Sequence, residues 1–159
     1  MTAPAGRLRV REAAAGDFDA LMRLYRQLQP SDPVPADGDA RAVFAAIVES
    51  DALRLYLLED GDGRVSASCY LNVIPNLTRG ARPYAVIENV ITDEARRGRG
   101  LGRAVIGHAL DAAWAAGCYK VMLQTGSTQE STHAFYRACG FSGTDKHAYV
   151  AWCPDWPTP

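Results

Sequence analysis

The sequence predicts a chain of the α/β (α+β) class, organised as one domain over its 159 residues. Three observations lead there. Tyr84 to Thr92 reads as a strongly apolar strand that turns through a glycine-rich run directly into a helix opening near Leu101. Leu53 to Glu59 and Arg64 to Val73 read as two strands joined by Asp60-Gly61-Asp62-Gly63, a strong hairpin signal. Segments with helical periodicity lie before and after them. A chain of this length can bury a proper hydrophobic core, and no repeat, low-complexity run or second domain interrupts it.

Taken in order, Arg7 to Glu12 alternates weakly as a first strand. Asp17 is placed to cap a helix whose apolar face is Phe18, Leu21, Leu24, Tyr25 and Leu28. Gln29 to Asp39 holds three prolines and three aspartates, which predicts an irregular connection; a second short helix, Ala40 to Glu49, follows. After the hairpin, Asn76 to Arg82 is a longer connection between Pro75 and Pro83. The helix from Leu101 to Ala116 has a broad apolar stripe and a terminating Gly117, and its His108 and Trp114 read as packing or surface residues. Tyr119 to Thr125 reads as an interior strand. Ser127-x-x-Glu130 reads as a capping box for a helix over Thr128 to Cys139, ended by Gly140. His147 to Trp152 reads as a closing strand and Pro154 to Pro159 as a tail.

Composition excludes several functions. Lys+Arg number 17 against Asp+Glu 18, so no broad basic surface exists for nucleic acid. No apolar run has the length of a membrane span, and Met1 to Gly6 lacks a secretory apolar core; the expected location is the cytoplasm. Cys69, Cys118, Cys139 and Cys153 are scattered without a C-x-x-C pair, which predicts buried reduced thiols rather than zinc or disulfides.

The glycine-rich turn is the strongest local signal. A helix start leaves backbone N–H groups without partners at the positive end of the helix dipole, and it attracts anions. Glycines let a phosphate approach the backbone, and Arg96, Arg97, Arg99 and Arg103 add fixed charge and forked donors. This reads as a cradle for a pyrophosphate. A Walker A loop would need Gly-Lys-Ser/Thr, and no Lys lies near. A Rossmann turn would need G-x-G-x-x-G, but Arg103 stands where the last glycine belongs.

Arg97-x-x-Gly100-x-Gly102, followed at the expected distance by Phe135-Tyr136-Arg137-Ala138-Cys139-Gly140-Phe141, resembles the two signatures of the GNAT superfamily of acetyl-CoA-dependent N-acyltransferases. The resemblance runs from about Tyr84 to Phe141. It implies the GNAT fold, a central mixed, mostly antiparallel twisted sheet flanked by about four helices. It also implies acetyl-CoA as cosubstrate, without a metal. Val90, Ile91 and Thr92 would pair with the pantetheine arm like an added strand, and Arg97, Gly98, Arg99, Gly100, Leu101, Gly102 and Arg103 would hold the pyrophosphate. Many members carry an Asn seven residues before the Tyr; Gln129 stands there in this chain.

Acetyl transfer to an amine needs deprotonation of an ammonium, alignment with the thioester, a donor for the oxyanion and a proton for the departing thiolate. Glu88, alone in the apolar run AVIENVI, is the catalytic base that the resemblance implies, against a purely structural carboxylate. Tyr136 is the implied general acid, against an aromatic that packs beside Phe135. Cys139 reads as a buried thiol rather than an acyl carrier, and His133 as a polar helix residue, so attack is direct in a ternary complex. The implied acceptor is a primary amine of a small molecule. Gly117 to Val121 with the Phe135 to Phe141 run is similar to glucosamine 6-phosphate N-acetyltransferases, but Gln124-Thr125-Gly126-Ser127 departs from them. The competing class is a non-catalytic acyl-CoA-binding module. Homodimers are common in the superfamily, though no residue pattern here demands one.

Overall fold

The computed structural model of the chain describes residues 7–157. The reading of residues 1–6 and the last two residues of the expected tail lie outside them. The elements run β1 (Arg9–Glu12), α1 (Phe18–Leu28), α2 (Asp37–Val48), β2 (Leu53–Glu59), β3 (Val65–Ile74), α3 (Thr78–Ala81), β4 (Tyr84–Thr92), α4 (Leu101–Ala115), β5 (Val121–Leu123) and α5 (Glu130–Ala138). By contacts the chain divides after Leu123 into two compact units. None of the helices is long and apolar enough to cross a membrane, among the described residues.

The first unit holds one five-stranded mixed sheet in the order β1-β2-β3-β4-β5. The first four strands are antiparallel neighbours and β5 runs parallel to β4. The α/β class and the mostly antiparallel sheet expected from the resemblance are therefore present. Pairing register decides which side chains share a face. Leu55, Leu57, Val65 and Ile91 pack with Phe18, Leu21 and Leu24 of α1 and Phe44 of α2. On the other face Val105, Ile106, Ala109 and Ala113 of α4 are fully buried, and His108 packs edge-on to Tyr56 at 4.8 Å. Alternation along half-buried strands and an apolar stripe along each helix make this two-sided core.

Several boundaries differ from those expected. β1 begins at Arg9 rather than Arg7. Asp17 does not cap α1 through its side chain; the carboxylate accepts from the Ala14 amide at 2.7 Å and pairs with Arg11, closing the preceding turn instead. α2 starts at Asp37, so the irregular connection is shorter; Asp37 and Asp39 suit the positive end of a helix, and Asp37 pairs with Arg41 one turn on. The connection over residues 76–82 contains α3, in which Arg79, Gly80 and Ala81 all have positive φ. β5 is only three residues long and pairs with Ala85, Val86 and Ile87 of β4, while single backbone hydrogen bonds from Ala85 to the Lys120 carbonyl and from Tyr119 to the Pro83 carbonyl lie just before it. Cys153 is exposed, contrary to the expectation of buried thiols, whereas Cys69 and Cys118 are buried.

The second unit begins at Gln124 and holds α5 with the segments before and after it. The capping box is not formed. Gln129 is the N-cap, Ser127 Oγ accepts from the Gln129 amide at 3.2 Å, and Glu130 instead pairs with Arg137 one face along. Residues 147–152 form no strand, which corrects the expected closing strand.

Candidate active site

β4 is interrupted at the position where its carboxylate stands. Ser68 of β3 pairs with Ile91 but Tyr70 pairs with Glu88, so β4 carries one extra residue there. Asn89 absorbs the bulge with φ 50°, a left-handed conformation that Asn tolerates better than most side chains. A bulge breaks the ladder locally and re-aims the side chains beside it. Glu88 and Asn89 accordingly lie exposed in a strand whose neighbours Ile87 and Ile91 are buried.

These two residues line an open cleft of about 480 Å³ with Leu53, Tyr70, Asn72 and Val86. Leu53 pairs with Asn72, Asn72 with Val86 and Tyr70 with Glu88, so all five point to the sheet face that α1 and α2 cover further along. Glu88 is the charged residue of that lining, and its side chain makes no ion pair or hydrogen bond with another described residue. Its carboxylate meets solvent and any ligand in the cleft, which is how this apolar strand tolerates it.

Two buried hydroxyls beside the bulge were not singled out by sequence. Tyr25 of α1 and Ser68 of β3 have hydroxyl oxygens shielded from water and without a properly formed hydrogen bond. Burial pushes the Tyr25 phenol up to about 12, against weaker opposing contacts from Asn89 and Ser68. Tyr25 counted in the sequence as one of five residues on a helical apolar stripe, and nothing local marks its hydroxyl as special.

Beyond Ile87, β4 has no β5 partner, so its edge at Val90, Ile91 and Thr92 is open toward that side. The strand then reaches Asp93, whose side chain is 2% exposed. Asp93 accepts from Arg23 at 2.6 Å, Arg64 at 3.0 Å and the Ala95 amide at 3.2 Å. Burial alone would raise its pKa; the hydrogen bonds from Arg23, the Ala95 amide and Arg64 outweigh that and hold it at about 2. This carboxylate ties the start of the glycine turn to α1 through Arg23 and to the β2–β3 hairpin through Arg64. Arg96 is also committed, to Asp60 at 3.4 Å and Asp62 at 3.1 Å of the β2–β3 hairpin. Of the four arginines expected around a phosphate, Arg96 therefore braces the turn. Arg97 donates to the Thr92 carbonyl at 3.3 Å, while Arg99 and Arg103 are exposed.

Gly98 and Gly100 have φ of 75° and 76°, a region that excludes most other residues, and Gly100 is the N-cap of α4. A Cβ at either would meet nothing within 4 Å, so the space above the turn is open. Leu101 and Gly102, buried in the first turn, and Arg103 present the helix's unpaired N–H groups. The turn can hold an anion and the open β4 edge an extended amide-bearing arm, so the residues present fit a coenzyme A derivative.

In the second unit, Tyr136 lies on α5 with ring centroids 5.2 Å from Phe135 and 6.4 Å from Phe141. Gly140, at φ 94°, ends the helix, and the Phe141 amide returns to the Tyr136 carbonyl at 3.1 Å. His133 Nε2 contacts the Ser127 carbonyl at 2.9 Å, a structural use in keeping with its reading as a polar helix residue. Glu88, residues 90–92 and 97–103 thus belong to one unit, and Tyr136 and Gln129 to the other.

The sheet, the bulged fourth strand and the glycine turn together define an acyltransferase architecture. The sequence model of the acetyltransferase (GNAT) family matches residues 18–141, and the chain belongs to that family. Glucosamine 6-phosphate N-acetyltransferase 1 of Oryza sativa subsp. japonica is 33% identical over 135 residues, 84% of this chain and 80% of that protein. A solved structure from Agrobacterium tumefaciens str. C58, whose acetyltransferase assignment is provisional, is 46% identical with a TM-score of 0.84, covering 91% of this chain and 99% of that one. Glucosamine-6-phosphate N-acetyltransferase from Arabidopsis thaliana superposes with a TM-score of 0.79 at 24% identity, over 94% of this chain and 99% of that one, which bears on the fold alone.

Proposed function

We propose that this acetyltransferase moves the acetyl group of acetyl-CoA to a primary amine of a small molecule by direct attack in a ternary complex. The observation that carries the reading is Glu88, raised by a strand bulge into an open cleft next to the unpaired edge of β4. When bound, acetyl-CoA supplies an activated acyl group on a thiolate leaving group.

The chain's own residues do the rest. Glu88 takes a proton from the incoming ammonium, directly or through water, because only the neutral amine has a lone pair to attack with. Its charge also draws a cation into a cleft whose remaining lining is apolar, aromatic or amide. The N–H groups of residues 90–92 hold the pantetheine arm, and one of them serves the thioester oxygen. Residues 97–103 hold the pyrophosphate, and Gln129 is a further coenzyme contact in this reading. Tyr136 donates the phenolic proton to the departing thiolate.

The named relatives favour an amino-sugar phosphate as one acceptor to test. Its phosphate would need a cation, and the described lining of the cleft offers Glu88 as its charge. A thiol-release assay with acetyl-CoA over a panel of small amines, glucosamine 6-phosphate included, tests the reading. Amine-dependent release of free thiol is expected. Tight coenzyme binding with no amine yielding thiol would instead make the chain a binding module.

A further inference from the structure

The cleft beside Glu88 has walls of one character. Leu53, Ile74 and Val86 make its aliphatic side, Tyr70 an aromatic one, and Asn72 an amide between them. Tyr70 stands directly across the ladder from Glu88, so its ring lies beside any ammonium that the carboxylate draws in. The nitrogen of Asn72 is engaged by the sheet, at 3.4 Å from the Tyr70 carbonyl and 3.3 Å from the Val86 carbonyl, and is not free to meet an anion.

Two cations flank these residues in the sheet and are used elsewhere. Arg54 follows Leu53 and so takes the opposite face, where its partner Tyr56 packs on His108 of α4. Lys120 is held over the rings of Tyr84 and Tyr119, at 5.4 and 5.5 Å. Register also sets the length of the cleft. Leu53 pairs with Asn72 and Asn72 with Val86, two residues before Glu88. Two strand spacings of about 4.8 Å and two rises of about 3.4 Å therefore separate Leu53 from Glu88 by about 12 Å.

We propose that the acceptor is a primary amine with an uncharged, apolar body, its ammonium between Glu88 and Tyr70 and its body laid across Asn72 and Val86 toward Leu53. This rests on the transferase reading above and narrows it. A phosphate, carboxylate or second ammonium at the far end would leave water for Leu53, Ile74 and Val86 without a counter-charge. An aliphatic or aryl body gains from the same walls by apolar burial.

The test measures thiol release from acetyl-CoA by the full chain with amines that share one chain and differ at its far end: hexylamine, 6-aminohexanoate and 1,6-diaminohexane. Butylamine and glucosamine 6-phosphate are run beside them. For the wild type, kcat/KM is expected to rise about threefold for each methylene between butylamine and hexylamine. It is expected to fall on the order of tenfold or more from hexylamine to either compound with a charged far end. Leu53→Arg sets a guanidinium at that end and leaves Glu88 in place, so 6-aminohexanoate should overtake hexylamine. A wild type that prefers 6-aminohexanoate, 1,6-diaminohexane or glucosamine 6-phosphate to hexylamine, or treats butylamine and hexylamine alike, overturns the assignment and leaves the transferase reading standing. A folded Leu53→Arg that keeps the wild-type order overturns the placement of the body on Leu53. Tight coenzyme binding with thiol from none of the amines removes the transferase reading and this one with it. Where Leu53→Arg does not fold, the wild-type order decides alone.

Discussion

Asp93 offers the most quantitative check on how the glycine turn is held. Its carboxylate falls from an ordinary 3.8 to about 2 although burial opposes the charge. At about 1.4 kcal/mol per pKa unit, that fall corresponds to about 2.5 kcal/mol of stability above the ordinary carboxylate range. Replacing one member of a fully buried pair costs about 3–5 kcal/mol. Here the partners Arg23 and Arg64 are 32% and 49% exposed and can rehydrate, so Asp93→Asn is expected to cost about 2 kcal/mol at neutral pH. For a chain of this size that is a fall in Tm of about 4–8 °C. The sign of the pH dependence is set by the depressed pKa. The stabilisation is complete above the unfolded value near 4 and is lost as pH falls toward the folded value near 2. The gap between wild type and Asp93→Asn should therefore be full at neutral pH and narrow below about pH 4. Urea unfolding followed by fluorescence across that range measures it. A gap that stays constant down to about pH 3 would refute the ion-pair explanation. Because Asp93 also accepts from the Ala95 amide, the same variant should raise the KM for acetyl-CoA more than it lowers kcat.

Other substitutions separate the proposed roles. Glu88→Gln should lower kcat on the order of 100-fold or more near neutral pH while leaving coenzyme affinity intact, and steady-state kinetics at saturating acetyl-CoA would expose a mere structural carboxylate as a small change. Tyr136→Phe should slow turnover with little effect on the coenzyme Kd; weaker binding with an undiminished rate at saturation would contradict a proton donor. Gly100→Val forces a β-branched residue to φ 76°, at a cost of about 1–2 kcal/mol, and should weaken coenzyme binding by roughly tenfold in calorimetry. Tyr25→Phe removes a buried hydroxyl that has no well-formed hydrogen bond, so thermal stability should stay level or rise; a loss of about 1 kcal/mol would show a bond to Asn89 or Ser68.

Much of the fold was legible because its signals are local. The bounds of β2 and β4 match those read from alternation and apolar runs, and α4 starts at Leu101 as the glycine turn requires. Composition alone could not mark the Glu88–Asn89 bulge, since register is a relation between β4 and β3. Nor could it foresee that Arg96 is spent on the hairpin carboxylates, or that Asp93 gathers two arginines from positions 70 and 29 residues away.

The family, the reaction class and the glycine turn proposed to hold the pyrophosphate were thus legible in the sequence itself, because each rests on residues adjacent in the chain whose backbone demands are local. The cleft, the buried hydroxyls, the brace around Asp93 and the unpaired segment at 147–152 were decided only in three dimensions. They depend on which strand lies beside which, and on where the sheet leaves a backbone edge or a polar atom without a neighbour.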